Sequence, residues 1–366
     1  MAKFKLKDFA KDISVAIKDA QSSPLKQFVG LEHYDSGEPV ITRFTDTSLI
    51  SSSVKEFKEN DILIARRNVY LRRAGIAFFS GLTSGDSIIL RIYDDCEEKT
   101  GIPKEDAIKI LPFILNSNDF WNYANKHADG MNSKRISKDM LYDYEFDLPS
   151  LTEQRVIADK LWAAYRLKES YKKLLAATDE MVKSRFIEMF GGNVSKKKIS
   201  DVCVVRGGST PKRTTKEFWN NGTISWFTVE DIYEQGRYIS ETKQHITELA
   251  TKKCFVYPVD TVLICCTASV GEYAITKKEM ASNQQFNGMM IKDKSELHPE
   301  YLLYVASTLK EDLLRQAGKT TINFVSRSKL ENIEIPVPPY SEQLGFVSVY
   351  RQADKSGSVL QYRIAC

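Results

Sequence analysis

The stretch that decides the fold is LPSLTEQRVIADKLWAAYRLKESYKKLLAATDEMVKSRFIEMFGG, from Leu148 to Gly192. Pro149 disfavours helical dihedrals in the residue before it, and Ser150 with Glu153 has the spacing of a capping box, so a helix should begin here. Gly191 and Gly192 should end it. Forty helical residues would form a rod of about 60 Å.

The apolar residues of this helix recur at three- and four-residue steps, which predicts one apolar stripe along the rod. The stripe comprises Val156, Ile157, Leu161, Ala164, Leu167, Tyr171, Leu174, Leu175, Met181, Val182 and Phe186. A helix much longer than the average globular helix needs a partner along such a stripe.

The same junction occurs a second time in the chain. Ile110 to Gln154 aligns without a gap with Pro299 to Gln343, a displacement of 189 residues. The alignment places the pair Glu153-Gln154 on Glu342-Gln343, each a few residues after a proline. The repeat therefore predicts that each half of the chain forms a globular unit of about 150 residues, followed by a helix.

The composition is that of an ordinary soluble chain. Its 366 residues are 42% hydrophobic and 27% charged, which is sufficient for two domains with apolar cores. The net charge of +4 permits a polyanionic partner without requiring one. No apolar run reaches membrane-spanning length and no signal peptide is present, so we expect a cytoplasmic protein without a membrane partner. The six cysteines form no CxxC pair and should be free, buried thiols.

The first half contains one strongly basic stretch, RRNVYLRR, between two predicted strands. Arginine supplies charge for phosphate and a planar fork for guanine, and an interleaved tyrosine supplies an aromatic face. A second polar loop, HADGMNSKRIS, follows a predicted helix. The candidate DNA-binding residues of this half are Arg66, Arg67, Asn68, Tyr70, Arg72, Arg73, Asn132, Lys134 and Arg135. A charged loop that meets only solvent is the alternative interpretation.

The second half opens with VVRGGSTPKRTT, whose glycines and small hydroxyls predict a turn that approaches phosphate closely. The segment ASNQQFNGMMI offers amides that match adenine, and GKTTINFVS predicts a basic loop after a helix. The candidate DNA-binding residues of this half are Gly208, Ser209, Thr210, Lys212, Arg213, Asn283, Gln284, Gln285, Asn287, Lys319, Thr320 and Asn323. The alternatives are a turn that only joins two strands and a polar strand edge.

An ordered set of motifs in this chain resembles the DNA specificity subunits of type I restriction-modification systems. The motifs are DLPSLTEQ at 147–154, PVPPYSEQ at 336–343, the GGSTP loop, the series VLI, SVGEYAI and SNQQFNGM, and INFVSRSKLENIEIPVPP. The resemblance implies an α+β fold in which two pseudo-repeated globular target recognition domains are separated by two long antiparallel coiled-coil helices. It places the recognition domains at 1–147 and 193–338, the central helical spacer at 148–192, and a short distal spacer at 339–366.

The resemblance also implies a function. The chain would be a non-catalytic subunit, and each recognition domain would read one half of a split double-stranded DNA target. Methyltransferase subunits, two per chain, would dock on the helices, and restriction subunits could join them. The expected partner-binding residues are Glu153, Gln154, Glu342 and Gln343. No cofactor is expected on this chain, because S-adenosylmethionine, and ATP with magnesium, would belong to the partner subunits.

Two further expectations follow from comparing the halves. RRNVYLRR has no sequence counterpart near Cys265 to Ser269, which predicts an asymmetric target. The second helix is shorter than the first and contains Gly357, so the second methyltransferase subunit should be held less firmly.

Two other classes of function are weighed against this one. A DNA methyltransferase needs an Asn/Asp-Pro-Pro-aromatic box, but here Val337 precedes Pro338-Pro339-Tyr340. A metal-dependent nuclease needs carboxylates and a lysine. Asp61, Glu97 and Lys99 can be forced into that pattern, but charged triplets are common on surfaces, and the four histidines are scattered along the chain. A helical adaptor without any role on DNA is the remaining alternative.

Overall fold

The computed structural model describes residues 2–21, 23–50, 52–131, 133–192, 194–317 and 324–365, with side chains described as far as residue 355. The chain divides into two compact units, residues 1–167 and 168–366. The division falls inside one long helix, α6 (Leu151–Phe190). Within the described ranges, no helix is both long and apolar enough to cross a membrane.

The first unit mixes short strands with short helices. Its strands are β1 (Ala2–Lys5), β2 (Ala10–Asp12), β3 (Val15–Ile17), β4 (Gln27–Val29), β5 (Thr45–Asp46), β6 (Val54–Phe57), β7 (Ile62–Ala65), β8 (Ala74–Ile76), β9 (Gly81–Ser84), β10 (Ser87–Ile92) and β11 (Glu145–Leu148). Its helices before α6 are α1 (Leu6–Phe9), α2 (Cys96–Thr100), α3 (Lys104–Ile114), α4 (Asn118–Lys126) and α5 (Lys138–Tyr142).

The second unit has a similar order of elements. Its strands are β12 (Lys196–Lys198), β13 (Cys203–Gly207), β14 (Ile224–Phe227), β15 (Tyr238–Ile239), β16 (Gln244–Ile246), β17 (Val256–Tyr257), β18 (Val262–Cys265), β19 (Tyr273–Thr276), β20 (Met280–Ser282), β21 (Phe286–Ile291) and β22 (Glu334–Pro336). Its helices after α6 are α7 (Ile199–Val202), α8 (Val229–Gln235), α9 (Glu248–Thr251), α10 (Pro299–Thr308), α11 (Lys310–Gln316), α12 (Arg327–Glu331) and α13 (Tyr340–Ala365).

The two units share the strand order of one sheet and differ in another. One sheet has the order β2-β10-β7-β8 in the first unit and β13-β21-β18-β19-β15 in the second. Its central strands, ILIA in β7 and VLIC in β18, are buried throughout, which explains their unbroken apolar composition. A two-stranded ladder, β1-β11 or β12-β22, leads each unit to its proline junction. The remaining sheets differ: β3-β6-β9-β4-β5 in the first unit and β16-β14-β20-β17 in the second.

The predicted long helix is confirmed, with 40 residues in α6. It begins with the predicted capping box: the backbone N–H and the Oγ hydroxyl of Ser150 donate to Glu153 Oε2, at 3.0 and 2.7 Å. These bonds hold the pKa of the Glu153 carboxyl below its usual range. The N–H of Glu153 donates to Ser150 Oγ at 3.4 Å, so the two side chains satisfy backbone N–H groups that the first helical turn would otherwise leave unpaired.

The single apolar stripe is wrong. In the first unit, Ala158 is buried in the core and Trp162 packs against it. In the second unit, Val182 and Phe190 belong to a different core. Five predicted members of the stripe are instead about half exposed: Val156, Ile157, Leu167, Leu174 and Met181. The two cores use different segments of the helix, and residues that form one row in the sequence are partly buried and partly exposed.

Within the second unit, α6 and α13 run antiparallel. The rings of Phe186 and Phe190 lie 5.3 and 5.8 Å from the ring of Phe346, near the start of α13. Residues 175–182, closer to the start of α6, line a cavity together with residues 350–354 of α13. Residue numbers therefore fall along α6 as they rise along α13, which is the antiparallel arrangement that the family resemblance implied.

Each proline junction is held by a buried glutamine. The Nε2 of Gln154 donates to the carbonyl of Pro149 at 2.9 Å, and that of Gln343 donates to the carbonyl of Pro338 at 2.8 Å. Gln343 also bonds the carbonyl of Glu296 and the backbone N–H of His298, each at 2.8 Å. The predicted partner contact by these two glutamines does not fit their burial, because their amides are used within their own unit.

The cysteines agree with the sequence prediction within the described residues. Cys96, Cys203, Cys254, Cys265 and Cys266 are free and buried. Burial raises the pKa of the Cys203 thiol to about 12, which keeps it protonated and unreactive at neutral pH. The sixth, Cys366, lies outside the described residues.

The two junctions form a natural test of the buried amide. We expect Gln343→Ala to lower the free energy of unfolding by about 3 kcal/mol, because it leaves several buried backbone groups without partners. Gln154→Ala should cost only about 1 kcal/mol, since Gln154 Oε1 already lacks a hydrogen-bond partner. Urea unfolding of both variants measures the difference, and equal losses would contradict this account.

Candidate nucleic-acid interface

In the second unit, three connections meet at one end of the central sheet. Gly207, at the end of β13, pairs with Asn287 in β21. Cys265, at the end of β18, pairs with Phe286 at the start of β21. The loops after β13 and β18 and the turn before β21 therefore share this end. We call residues 207–213, 266–271 and 282–285 the second strand-end surface.

The GGSTP loop packs directly against the Asn-Gln-Gln turn on this surface. The N–H of Ser209 donates to the carbonyl of Ser282 at 2.9 Å, and the Thr210 hydroxyl donates to Gln284 Oε1 at 2.5 Å. A Cβ on Gly208 would lie 2.2 Å from Ser282 Oγ and 2.2 Å from the carbonyl of Asn283. Glycine is thus required at 208 for the two segments to meet.

Arg213 is held in an aromatic clamp. Its guanidinium lies 3.9 Å from the ring centre of Trp219 and 4.5 Å from that of Trp226. Its Nη1 also donates to Gln244 Oε1 at 2.6 Å. Ring faces and an amide oxygen fix the direction of this cation without neutralising its charge. The sequence analysis missed this clamp, although the spacing of aromatics in FWNNGTISW was a signal for it.

The four predicted amide residues have different environments. Gln284 is exposed, and the side chain of Asn283 bonds that of Gln285 at 2.9 Å. Asn287 is only 8% exposed and lies against the Cys266 thiol, whose pKa is raised by burial to about 11. Asn287 is therefore less accessible to a base than the sequence suggested, and its contact with DNA stays a prediction.

In the first unit, two polar loops meet at the corresponding end of the sheet. The backbone N–H of Asn68 donates to the carbonyl of Lys134 at 2.7 Å, and that of Ile136 donates to the carbonyl of Arg66 at 3.0 Å. Tyr70 is 61% exposed, and the side chains of Lys134 and Arg135 face solvent. We call residues 66–73, 86 and 129–136 the first strand-end surface.

An aspartate that the sequence analysis did not consider pairs with two of the predicted arginines. Asp86 Oδ1 lies 3.4 Å from Arg66 Nε, and Asp86 Oδ2 lies 3.1 Å from Arg67 Nη1. Asp86 precedes β10 and is far from both arginines in sequence, so only the strand pairing brings it here. The charge of the basic stretch is partly neutralised within the protein.

The other two arginines of this stretch are also engaged. Arg72 Nη1 donates to Asn118 Oδ1 at 2.8 Å. Arg73 donates to the carbonyls of Leu31 and Arg67, at 2.9 and 3.0 Å, and burial lowers the pKa of its guanidinium. Arg73 therefore stabilises the loop, and its position leaves it less available to DNA than the sequence suggested.

The loop after β18 does have a structural counterpart in the first unit. Asn68 and Ala268 both adopt positive φ, 52° and 63°. The N–H of Val325 donates to the carbonyl of Cys266 at 2.8 Å, as that of Ile136 does to Arg66. The expectation that RRNVYLRR has no counterpart is wrong for the backbone, because the scaffold is shared and only the side chains and loop lengths differ.

Several predicted residues are not located by the structure. Asn132 of the first unit, and Lys319, Thr320 and Asn323 of the second, lie outside the described residues. Their assignment to DNA binding stays a prediction, as it does for the described residues that face solvent at the two strand-end surfaces.

Comparison with known proteins agrees with this geometry. Residues 192–355 match the family profile described as Type I restriction modification DNA specificity domain. The chain therefore contains a type I restriction-modification DNA specificity domain. The family resemblance inferred from the sequence motifs is confirmed.

Two curated relatives show how far this specificity-domain similarity extends. The type I restriction enzyme MjaIX specificity subunit of Methanocaldococcus jannaschii is 36% identical over 162 residues, which cover 43% of this chain and 37% of the relative. The EcoprrI specificity subunit of Escherichia coli is 31% identical over 142 residues, or 38% of this chain and 35% of the relative. Each match thus spans little more than a third of the relative.

Two solved structures share the fold over almost the whole length of this chain. The S subunit of a type I restriction-modification system from M. genitalium is 12% identical, with a TM-score of 0.59, and covers 100% of this chain and 92% of its own. A chain from a study of complex assembly and conformational transition of a type I system is 16% identical, with a TM-score of 0.53 and coverages of 99% and 92%. The predicted α+β architecture is confirmed.

Glu241 anchors the segment that carries Gln244, the amide partner of Arg213. Its carboxylate accepts hydrogen bonds from Lys278 Nζ at 2.9 Å, His245 Nε2 at 2.7 Å and Ser225 Oγ at 2.9 Å. Lys278 and His245 contribute most to lowering the pKa of Glu241 from 4.5 to about 2. A lowered pKa stabilises the folded state above pH 4.5, and this contribution disappears as the pH falls to about 2.

We expect Glu241→Gln to be less stable than the wild type at neutral pH by no more than about 1 kcal/mol, because the carboxylate is largely exposed and screened. The difference should shrink between pH 4.5 and pH 2. Thermal unfolding at several pH values measures it, with the exposed Glu248→Gln as control. A difference that does not change with pH would contradict the assignment.

Proposed function

We propose that this chain is the non-catalytic DNA-reading subunit of a type I restriction-modification complex. Each unit reads one half of a split target in double-stranded DNA through its strand-end surface. The observation that carries the proposal is the repeat of one scaffold: the same strand ends, in both units, present loops with basic, amide and hydroxyl groups. Such groups supply phosphate contacts and base contacts together.

The two half-targets should differ in sequence. At equivalent backbone positions the first unit has Asn68 and the second has Ala268. Asp86 and Gln285 are also equivalent, since their carbonyls accept hydrogen bonds from the N–H groups of Arg66 and Cys266, at 3.1 and 2.7 Å. Different side chains at equivalent backbone positions support an asymmetric target.

The helices are the proposed docking sites for methyltransferase subunits, two per chain, with restriction subunits joining the assembly. Leu167, Leu174 and Met181 follow one another at seven-residue steps on α6 and are 52%, 53% and 51% exposed. That spacing places them on one helix face, where an apolar row is suited to another helix. Glu153 and Glu342 are exposed at the two junctions and remain available to a partner. S-adenosylmethionine, ATP and magnesium would be bound by those partners, in the cytoplasm.

The proposal is tested by mapping DNA methylation in cells that express this chain with its methyltransferase subunit, compared with the methyltransferase subunit alone. We expect a new split, non-palindromic motif that appears only with this chain. Thr210→Ala combined with Gln284→Ala should relax one half of the motif and leave the other unchanged. A stable complex of the two proteins without any new motif would refute the proposed role.

Asp86 gives a sharper test of the first strand-end surface. Asp86→Asn removes the carboxylate that pairs with Arg66 and Arg67, so both guanidinium groups become available to phosphate. Affinity for DNA of any sequence should rise by about three- to tenfold at low salt, with a steeper salt dependence. Fluorescence anisotropy over a range of salt concentrations measures both, and Asp147→Asn, an exposed aspartate on β11, is the control for net charge. Unchanged affinity in Asp86→Asn would place the DNA contact elsewhere.

A further inference from the structure

A cavity of about 960 Å³ lies within the second unit. It is bounded by α6, α13, the end of α8 with the turn after it, and β19. Two kinds of side chain dominate its lining. The tyrosines are Tyr233, Tyr238, Tyr273, Tyr304 and Tyr350, and the carboxylates are Asp179, Glu234, Glu272 and Asp354.

One wall of this cavity already binds a guanidinium that belongs to the protein. Arg237 lies 4.1 Å above the ring centre of Tyr273. Its Nη1 donates to Glu272 Oε2 at 2.9 Å and to the carbonyl of Tyr273 at 3.0 Å. A tyrosine face and a carboxylate together therefore bind the guanidinium of Arg237 at this position.

The carboxylates that line the cavity differ in their partners. Glu234 pairs with Lys243, and Glu272 pairs with both Arg237 and Lys310. Asp179 on α6 and Asp354 on α13 have no ion pair among the residues that the structure describes. Burial raises the pKa of both carboxyls, because no opposite charge compensates them.

Tyr304 adds a second, independent observation. Its side chain is only 8% exposed, and it packs against Phe346 and Tyr350, with ring centres 4.7 and 5.4 Å away. Its hydroxyl lines the cavity and has no hydrogen-bond partner among the described residues. A hydroxyl without a protein partner is satisfied by a ligand or by water in the cavity.

From this arrangement we infer that the cavity binds an organic cation with an ammonium or guanidinium head on a short alkyl chain. The head pairs with Asp179 and Asp354 and bonds the Tyr304 hydroxyl, while the alkyl chain lies along the tyrosine faces. A hard metal ion fits less well, because it requires a compact shell of oxygen ligands. Among the described residues, no group of three or more His, Cys, Asp or Glu could hold a metal.

The shared chemistry has two sources, a free small amine or a basic side chain of another protein. Agmatine, which carries both an ammonium and a guanidinium, represents the first source. Acetyl-arginine amide, whose flanking amides resemble a polypeptide, represents the second. Saturable binding of either probe supports the site, and the preferred probe identifies the source.

The test is calorimetric titration of the purified full chain with each probe, in the absence of DNA. Asp179→Asn and Asp354→Asn should each weaken binding at least tenfold, and Tyr304→Phe should weaken it several-fold. The control is Glu311→Gln, which removes one exposed negative charge of the same unit outside the cavity. It should leave affinity unchanged.

The variants should fold, because asparagine has nearly the size of aspartate and each change removes a carboxylate whose pKa is raised by partial burial. Their unfolding temperatures without ligand at pH 7 should equal or exceed that of the wild type, which shows that any loss of binding is local. Absence of saturable binding to the wild type would overturn the inference, and so would an equal effect of Glu311→Gln. Neither result depends on whether the chain reads DNA.

Discussion

The structure depends on how a rigid helix is joined to a sheet at each proline junction. A proline follows the β ladder at each junction. The helix after it begins with backbone N–H groups that have no partner within the helix. The glutamine of each junction returns its amide to the proline carbonyl, and in the second unit Gln343 also bonds two backbone groups of the segment before α10. This small buried network fixes the chain where each helix begins.

The two units share the backbone of their central strands and differ in the side chains of the loops that follow. The strands β7 and β18 are paired in the same way and buried on both faces, and their following loops share a positive φ at Asn68 and Ala268. The side chains carried by those loops are unrelated. A fold of this kind can change the groups at its strand ends without disturbing the core, because loop side chains contribute little to packing.

The arginines of the two strand-end surfaces have different kinds of partner. On the first surface, Asp86 partly neutralises Arg66 and Arg67, so the net field is weaker than the basic stretch suggests. On the second, Arg213 is held by two tryptophan faces and an amide, which orient the charge without cancelling it. The tyrosine-lined cavity shows a third arrangement, in which Asp179 and Asp354 face open space without a partner.

The sequence by itself determined the long helix, its capping box, the repeated junctions and the central strands. Those features depend on residues close in the chain or on a pattern that occurs twice, so local spacing was sufficient. Only the tertiary structure decided which residues of α6 are buried, that Asp86 meets Arg66, and that Asn287 is buried. Each of these depends on strand register or on packing between distant segments. A single sequence does not specify such pairings, because the same spacing of residues is compatible with either face of a strand or a helix.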